Sequence, residues 1–345
     1  TFLYGDLHDH MIAFPLTLLA LALAVAFARG SRPRWATLLI GGLVIGALRP
    51  RNPWGCPTYL VLGIVGLGIG AWRTAVTQGR AADDAGAGHA ALRFVRRIAW
   101  EVPVLVGLSL LLYRPYAARY VAGYNAAKLW EGGHTPLGIY LWIHGVLLLP
   151  VVTRMVVELR ELLRLGRPGR GLAVGLLGAG LVFGVGLYAL GVRIGMVAAP
   201  IIAGAAALFF IPGCGRASEE GGEDPDGGEA DGASHLDLLW VLVAAAMALC
   251  LAVEIVVLEG DIGRMNTVFK FYLQVWMLLG VAAAVSVVWI ARQARRWTSV
   301  LRHFWFVGMG ALVLGGLLFL PFGIRARAVD RIASETGLTL DGMAF

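Results

Sequence analysis

Apolar residues fall in long blocks along this chain, separated by short polar stretches. Blocks of about 17–23 residues are long enough for a helix to cross the roughly 30 Å of hydrocarbon in a bilayer. The second and third blocks are short and flanked by Gly and Pro, so we expect those helices to be tilted or broken. The pattern predicts ten transmembrane helices, at residues 11–28, 35–48, 59–72, 98–113, 137–157, 172–190, 194–211, 236–258, 268–290 and 304–320.

The composition agrees with a membrane protein. Apolar residues make up 58% of the chain and charged residues 15%, against roughly 25% charged residues in soluble domains. Lipid solvates apolar surface that a soluble chain of this length could not bury. The fold class predicted is therefore an all-α, polytopic, single transmembrane domain. The net charge of +7 requires no nucleic-acid partner, because basic residues commonly flank membrane helices.

Basic residues predict the orientation. Most of the 29 Lys and Arg lie in the loops that follow the first, third, fifth, seventh and ninth blocks, or at the ends of those blocks. By the positive-inside rule these loops face the cytoplasm. The other loops, which contain mixed charges, His, Trp and Tyr, then lie on the external face of a bacterial or archaeal plasma membrane.

Three further segments bear on organisation. The stretch 216–237 is acidic and Gly-rich without apolar periodicity, which predicts a disordered cytoplasmic loop. Residues 321–345 are expected to begin an external C-terminal segment. The chain starts at Thr1 and has no basic signal-peptide region, so we expect it to be part of a longer protein with helices upstream.

The strongest chemical signal is the segment DIGRMNTVFKFYLQ at 261–274. Asn266 is expected to cap a helix that enters the membrane. Lys270 and Gln274 follow at four-residue steps and form one stripe with it on the helix face. A lysine inside an apolar block is costly, so Lys270 should face protein or water.

Arg264 stands just before this helix, and two interpretations of the cations are open. A helix N-terminus beside Arg264 and Lys270 favours a bound phosphate or carboxylate. Alternatively, the charges form a structural ion pair, for example Lys270 with Glu254 or with Asp261.

Asp6, His8 and His10 alternate in the first external loop, so they point to one side if that segment is extended. Such a trio could bind a divalent metal, or supply a carboxylate base with a histidine partner. No fourth metal ligand is evident, and Asp9 adds a second carboxylate. The alternative is a plain polar loop at the membrane interface.

Other candidates are weaker taken alone. Arg49, Arg51 and Arg114 stand at external helix ends, where they could bind lipid phosphate or extend to the head groups as ordinary snorkelling side chains. Glu131 and His134 lie in a Gly-rich turn, WEGGHTP, that could close over a site. His144, inside the next block, is expected to be a satisfied packing histidine.

These motifs also carry a family resemblance. The runs FLYGDLHDHM, NPW…PTY, YVAGY, HTPLG, GRMNTVFKFYLQVW and TLDGMAF occur in that order. With these runs, the chain resembles an uncharacterised membrane-protein family of archaea and Chloroflexi-type bacteria that is named for a Tyr-Tyr-Tyr motif. That motif would lie upstream. The chain departs from the family pattern at Asp9, where Pro is usual, and at Gly55, where an acid is usual.

The family is similar in layout to the GT-C membrane glycosyltransferases, which use polyprenyl-phosphate sugars. The resemblance implies that Asp6 acts as a general base or positions the acceptor, and that Arg264 and Lys270 bind the lipid phosphate. The departure at Gly55 weakens any assignment of a catalytic carboxylate to the loop at 49–59.

The leading hypothesis is therefore a membrane glycosyltransferase that transfers a sugar from a polyprenyl-phosphate donor at the outer face, with membrane lipids as its other partners. A second hypothesis is a transporter or channel for an anionic solute. Against transport, the blocks show charges near their outer ends and little polar lining at mid-depth or toward the cytoplasm. A third is a non-catalytic scaffold subunit of a larger complex.

Overall fold

The computed structural model describes residues 9–29, 35–81, 87–120, 126–164, 169–211 and 232–330. It is 85% helical, which confirms an all-α polytopic membrane protein. The helices are α1 (Asp9–Ala28), α2 (Trp35–Arg51), α3 (Cys56–Ala81), α4 (Ala87–Leu111), α5 (Arg114–Ala117), α6 (Leu137–Arg164), α7 (Arg170–Ala189), α8 (Gly195–Phe210), α9 (Gly232–Ile255), α10 (Met265–Gln293) and α11 (Ser299–Asp330), with a short 3-10 turn at Ala294–Arg296.

A helix occupies each of the ten predicted blocks. Among the described residues, seven helices are long and apolar enough to cross a membrane, namely α1, α3, α6, α7, α9, α10 and α11. Helix α8 is apolar but shorter. The second and third helices were expected to be tilted or broken, and the third is not broken, because α3 is a continuous helix of 26 residues.

One glycine of α3 packs closely against a neighbouring helix. A Cβ atom at Gly66 would collide with the carbonyl oxygen of Ala24 in α1, so the two backbones approach closely there. Small residues permit such approach in membranes, where dispersion contacts drive helix association. Gly42 of α2 packs in the same way against Leu108 of α4.

Replacing Gly66 by Ala should therefore destabilise the protein by about 1–3 kcal/mol, as overpacking does elsewhere. Gly68 lies two residues further along α3 and has nothing within 4 Å of an added Cβ. Gly68→Ala should be neutral or stabilising by about 0.5–1 kcal/mol, because Ala favours helix. Thermal unfolding in lipid nanodiscs compares the two variants, and equal effects would contradict the close contact between α1 and α3.

The remaining helices extend the bundle. Helices α1 to α4 pack on one another, α6 to α10 form the neighbouring group, and α1 contacts α9 and α10. Helix α11 packs mainly on α6, where the Trp305 indole donates a hydrogen bond to Thr153 at 3.0 Å.

The predicted eighth block ends differently from expectation. Residues Val256–Leu258 form strand β2, which pairs antiparallel with β1 (Ala127–Leu129). Successive β-branched residues favour a strand, and the pairing satisfies their backbone groups outside a helix. This two-stranded ribbon joins the long loop before α6 to the turn between α9 and α10.

Candidate functional site

A buried carboxylate lies at the centre of the loops that the ribbon brings together. The Glu254 side chain, in the last turn of α9, is fully buried. It accepts hydrogen bonds from Arg264 Nη1 at 2.7 Å, from Thr135 Oγ1 at 2.5 Å and from Thr135 N at 3.0 Å. His134 Nδ1 lies 3.2 Å from Glu254 Oε2, the oxygen that also accepts from Thr135 N. A buried charge requires such compensation, and here a cation and several donors supply it. We call Glu254, Arg264, His134 and Thr135 the Glu254 cluster.

Local backbone geometry builds this cluster. Trp130 N donates to Ile255 O at 2.8 Å, which holds the loop containing His134 and Thr135 over the end of α9. Gly260 and Gly263 have φ of 84° and 61°, which favour glycine, and they turn the chain back so that α10 starts beside α9.

Arg264 is held from several sides. Besides Glu254, its guanidinium donates to Val253 O at 3.1 Å and to Thr135 Oγ1 at 2.8 Å. Its carbon Cζ lies 5.6 Å from the centroid of the Trp130 ring. Arg264 therefore joins α10 to α9 and to the long loop.

The helix N-terminus differs from prediction. Arg264 occupies the N-cap position of α10, so the expectation that Asn266 caps the helix is wrong. The carboxylate of Asp261 takes that role, because the turn at Gly263 brings it back to the helix. It accepts from Thr267 N at 2.8 Å, from Thr267 Oγ1 at 2.8 Å and from Asn266 N at 3.1 Å.

Burial alone would raise the pKa of Asp261, but the hydrogen bonds from Thr267 and Asn266 outweigh it and hold the pKa below its ordinary value. The charged carboxylate therefore stabilises the folded state above the unfolded pKa. That contribution is lost as pH falls through the lowered pKa of the folded state.

Asp261→Ala should destabilise the protein by about 1 kcal/mol at neutral pH, as loss of a capping side chain does. The difference from wild type should shrink as pH falls below about 4. Asp261→Asn keeps an acceptor oxygen without the charge, so it should lose less stability. Thermal unfolding against pH tests this, and a difference independent of pH would contradict the capping role.

The geometry bears on both interpretations of Arg264 and Lys270, the anion site and the structural ion pair. The negative group at the start of α10 is the carboxylate of Asp261, and Arg264 forms a buried ion pair with Glu254. The structural alternative named Lys270 as the cation, with Glu254 or Asp261 as its partner. The structure assigns Arg264 to that carboxylate, because the turn before α10 brings its side chain against the end of α9.

The predicted stripe along α10 lies against the loop between α2 and α3. Lys270 Nζ is 5.6 Å from the centroid of the Trp54 ring, a cation–π arrangement. The buried Gln274 amide donates to Trp54 O at 3.2 Å and to Lys270 O at 3.3 Å. Asn266 stands partly exposed at the top of the stripe. The roles of all three in substrate binding stay predictions.

The other predicted residues are dispersed. Arg49 is 3.5 Å from Leu110 O at the end of α4, and Arg51, Arg114 and Glu131 are exposed. Asp6 and His8 lie outside the described residues, as does the side chain of His10, although its backbone belongs to α1. Within the part of the chain that the structure describes, no group of three His, Cys, Asp or Glu could hold a metal ion.

His144 packs as expected, but it is not fully satisfied. Its ring is buried and stacks on Tyr140 at 4.6 Å, and its Nδ1 lies 3.1 Å from Tyr140 O. Its Nε2 has no hydrogen-bond partner in the described part of the chain.

Four residues of this region were not predicted as site residues from the sequence, namely Glu254, Thr135, Trp130 and Trp54. Glu254 is an ionisable residue inside the apolar run LCLAVEIVVL, and such residues are functional candidates by default. That signal could have identified it. The two tryptophans could not be separated by sequence from the aromatic residues common at membrane interfaces.

Comparison with known families supports the resemblance to an uncharacterised membrane-protein family. The family model described as uncharacterized membrane protein, DUF2298, matches residues 1–279, so the chain belongs to that family. No curated protein and no solved structure matches the chain.

Proposed function

We propose that this member of the DUF2298 family transfers a sugar from a polyprenyl-phosphate donor, at the end of the helix bundle where the Glu254 cluster lies. The observation that carries the proposal is the His134–Glu254 pair, in which a partly exposed imidazole rests on a buried carboxylate. Family membership itself supplies no activity. The GT-C resemblance of the motifs supplies the class of donor.

Acid–base chemistry is the first requirement of such a transfer. When His134 donates from Nδ1 to Glu254, its Nε2 is left as a base, and the carboxylate orients the ring and stabilises its protonated form. The acceptor oxygen would attack the anomeric carbon while its proton passes to Nε2. The bond from that carbon to the phosphate oxygen breaks, and its electron pair leaves with the lipid phosphate.

Stabilising the leaving phosphate is the second requirement. Lys270 stands six residues beyond Arg264 on α10, roughly 9 Å along the helix axis. It lies at a level where surrounding protein and lipid lower the dielectric, so a cation there stabilises developing negative charge strongly. The Trp54 ring beside it offers an apolar wall. Arg264 contributes by holding the Glu254 carboxylate in place through their contact at 2.7 Å.

The GT-C resemblance proposes Asp6 as the base instead, with His8 and His10 beside it. The variants Asp6→Asn and His134→Asn distinguish these two candidate bases. The excess of basic residues in the alternate loops supports placing this end of the bundle on the outer face of the plasma membrane.

The test measures transfer of radiolabelled hexose from synthetic polyprenyl-phosphate hexoses into membrane glycans or added acceptors. His134→Asn keeps an amide donor for Glu254 but removes the base, so transfer should fall by about 10²-fold or more. His303→Asn alters an exposed histidine of α11 and serves as the control with wild-type activity.

Three outcomes are decisive. Loss of transfer in His134→Asn and in Lys270→Ala supports the site. Loss in Asp6→Asn with full activity in His134→Asn moves the base to the first loop. Full activity in all three variants, or no transfer by the wild type with any hexose donor tested, rejects the proposal.

Anion transport remains the second candidate, because the described helices hold two further ion pairs inside the bundle. Arg97 pairs with Glu101 and Arg154 with Glu158, each at 2.7 Å, and these side chains are buried. The second pair lies on α6, which begins two residues after Thr135 of the Glu254 cluster. Uptake of labelled phosphate into proteoliposomes without any covalent product would favour transport over transfer.

A further inference from the structure

A small cavity lies where α1, α3, α10 and the loop between α2 and α3 meet. Thr17, Asn52, Tyr59 and Gln274 line it with apolar side chains around them. Its volume is about 10 Å³. That is about the smallest space that holds one water molecule.

Three buried polar atoms at this cavity have no hydrogen-bond partner within the described residues, namely Asn52 Oδ1, Tyr59 Oη and Gln274 Oε1. The three residues are 4%, 1% and 2% exposed. An unsatisfied buried polar group costs roughly 1–3 kcal/mol, so three around one cavity indicate an occupant.

The orientation of Gln274 follows from its surroundings. Its nitrogen donates to two backbone carbonyls, those of Trp54 and Lys270. Turning the amide over would place an oxygen against both carbonyls. Gln274 Oε1 is therefore an acceptor that needs a donor from outside the protein.

The number of hydrogen bonds that the occupant must donate indicates what it is. Asn52 Oδ1 and Gln274 Oε1 each need a donor, while the Tyr59 hydroxyl can donate. A water molecule donates two hydrogen bonds and accepts one, which satisfies all three atoms. A ligand hydroxyl has one hydrogen and leaves one amide oxygen unpaired. A metal cation is disfavoured, because Lys270 stands one helical turn before Gln274 and repels positive charge.

We propose that one ordered water molecule occupies this cavity and bridges Asn52, Tyr59 and Gln274. It joins the loop after α2 and the start of α3 to α10, directly below the contact of Lys270 with Trp54. The Thr17 hydroxyl, which also lines the cavity, donates to Phe14 O at 2.7 Å and so does not supply the donor that Asn52 or Gln274 needs.

The direct test is a cryo-EM map of the wild-type protein in nanodiscs at a resolution that shows water. A single peak within about 3.2 Å of the Asn52, Tyr59 and Gln274 oxygens is expected. An empty cavity, an Asn52 amide bonded directly to Gln274, or density continuous with a larger ligand would each overturn the proposal.

A double-mutant cycle tests the same bridge without a map. Tyr59→Phe removes one partner of the water, and Gln274→Met removes another together with its hydrogen bonds to Trp54 O and Lys270 O. Each should lower the melting temperature by about 2–6 °C, the second by more. Because both act through one water, the double variant should lose clearly less than the sum of the two. Tyr188→Phe, at a half-exposed tyrosine of α7, is the control and should be unchanged. Strictly additive losses would contradict the shared water.

Discussion

Glu254→Gln should lower the free energy of unfolding by about 3–5 kcal/mol, the range for removing one partner of a buried ion pair. The amide has nearly the size of the carboxylate, so packing is kept. One acceptor oxygen is replaced by an NH2 group that faces donors from Arg264, His134 and Thr135. Arg264, only 14% exposed, is left without its counter-charge.

Glu259→Gln is the matched control for this variant, since Glu259 is exposed and lies five residues further along the chain, after β2. It should change stability by less than about 0.5 kcal/mol, as surface substitutions usually do. Thermal and denaturant unfolding in nanodiscs measure both. If Glu254→Gln resembles Glu259→Gln, Glu254 does not carry the charge that holds the cluster together.

Glu158→Ala is expected to be comparably severe, about 3–5 kcal/mol, for a related reason. Its partner Arg154 is 1% exposed and lies between Trp289, at 5.1 Å, and Trp240, at 5.9 Å from the ring centroids. Removing the carboxylate leaves a guanidinium inside the bundle whose remaining favourable contacts are mainly with these aromatic rings.

The double variant Arg154→Met with Glu158→Leu should recover most of that stability, because it removes both charges and keeps apolar volume. Arg160→Ala, at an exposed position of the same helix, is the control. Unfolding in nanodiscs gives all four stabilities. A double variant as unstable as Glu158→Ala would show that the pair does more than neutralise its own buried charges.

The helices were predictable because lipid makes hydrophobic length nearly sufficient to identify a spanning segment. The Gly and Pro residues that flank the third block suggested a tilted or broken helix, but α3 is continuous. In α3 a glycine instead permits contact with α1 at Ala24. Strand β2 was also missed, since Val256 and its neighbours continue an apolar block and only pairing with β1 makes them a strand.

The site was predictable only in its location. Sequence reasoning selected the loops containing His134 and Arg264 and the stripe from Asn266 to Gln274. It could not pair His134 with Glu254, because 120 residues separate them and the ribbon that joins them is a long-range contact. The cap of α10 depended on a glycine turn that lets Asp261 reach residues five and six positions ahead.

Two kinds of polar structure therefore occur in this bundle. Arg154 and Glu158 form a closed pair with little exposure, which suits a structural role. The Glu254 cluster keeps part of His134 exposed and stands at the same end of α10 as Lys270. A site that must meet substrate needs this combination of a rigid buried anchor and an accessible base.

The proposed function requires the end of the bundle at the Glu254 cluster to bind a lipid-phosphate sugar. A cryo-EM structure of the protein in nanodiscs with a non-hydrolysable polyprenyl-phosphonate hexose tests this binding. We expect phosphonate density within hydrogen-bond reach of Lys270 Nζ, with the sugar between it and His134 Nε2. Phosphonate density at the opposite end of the bundle, near Arg93 or Arg164, or on the lipid-facing side of α11 would contradict it.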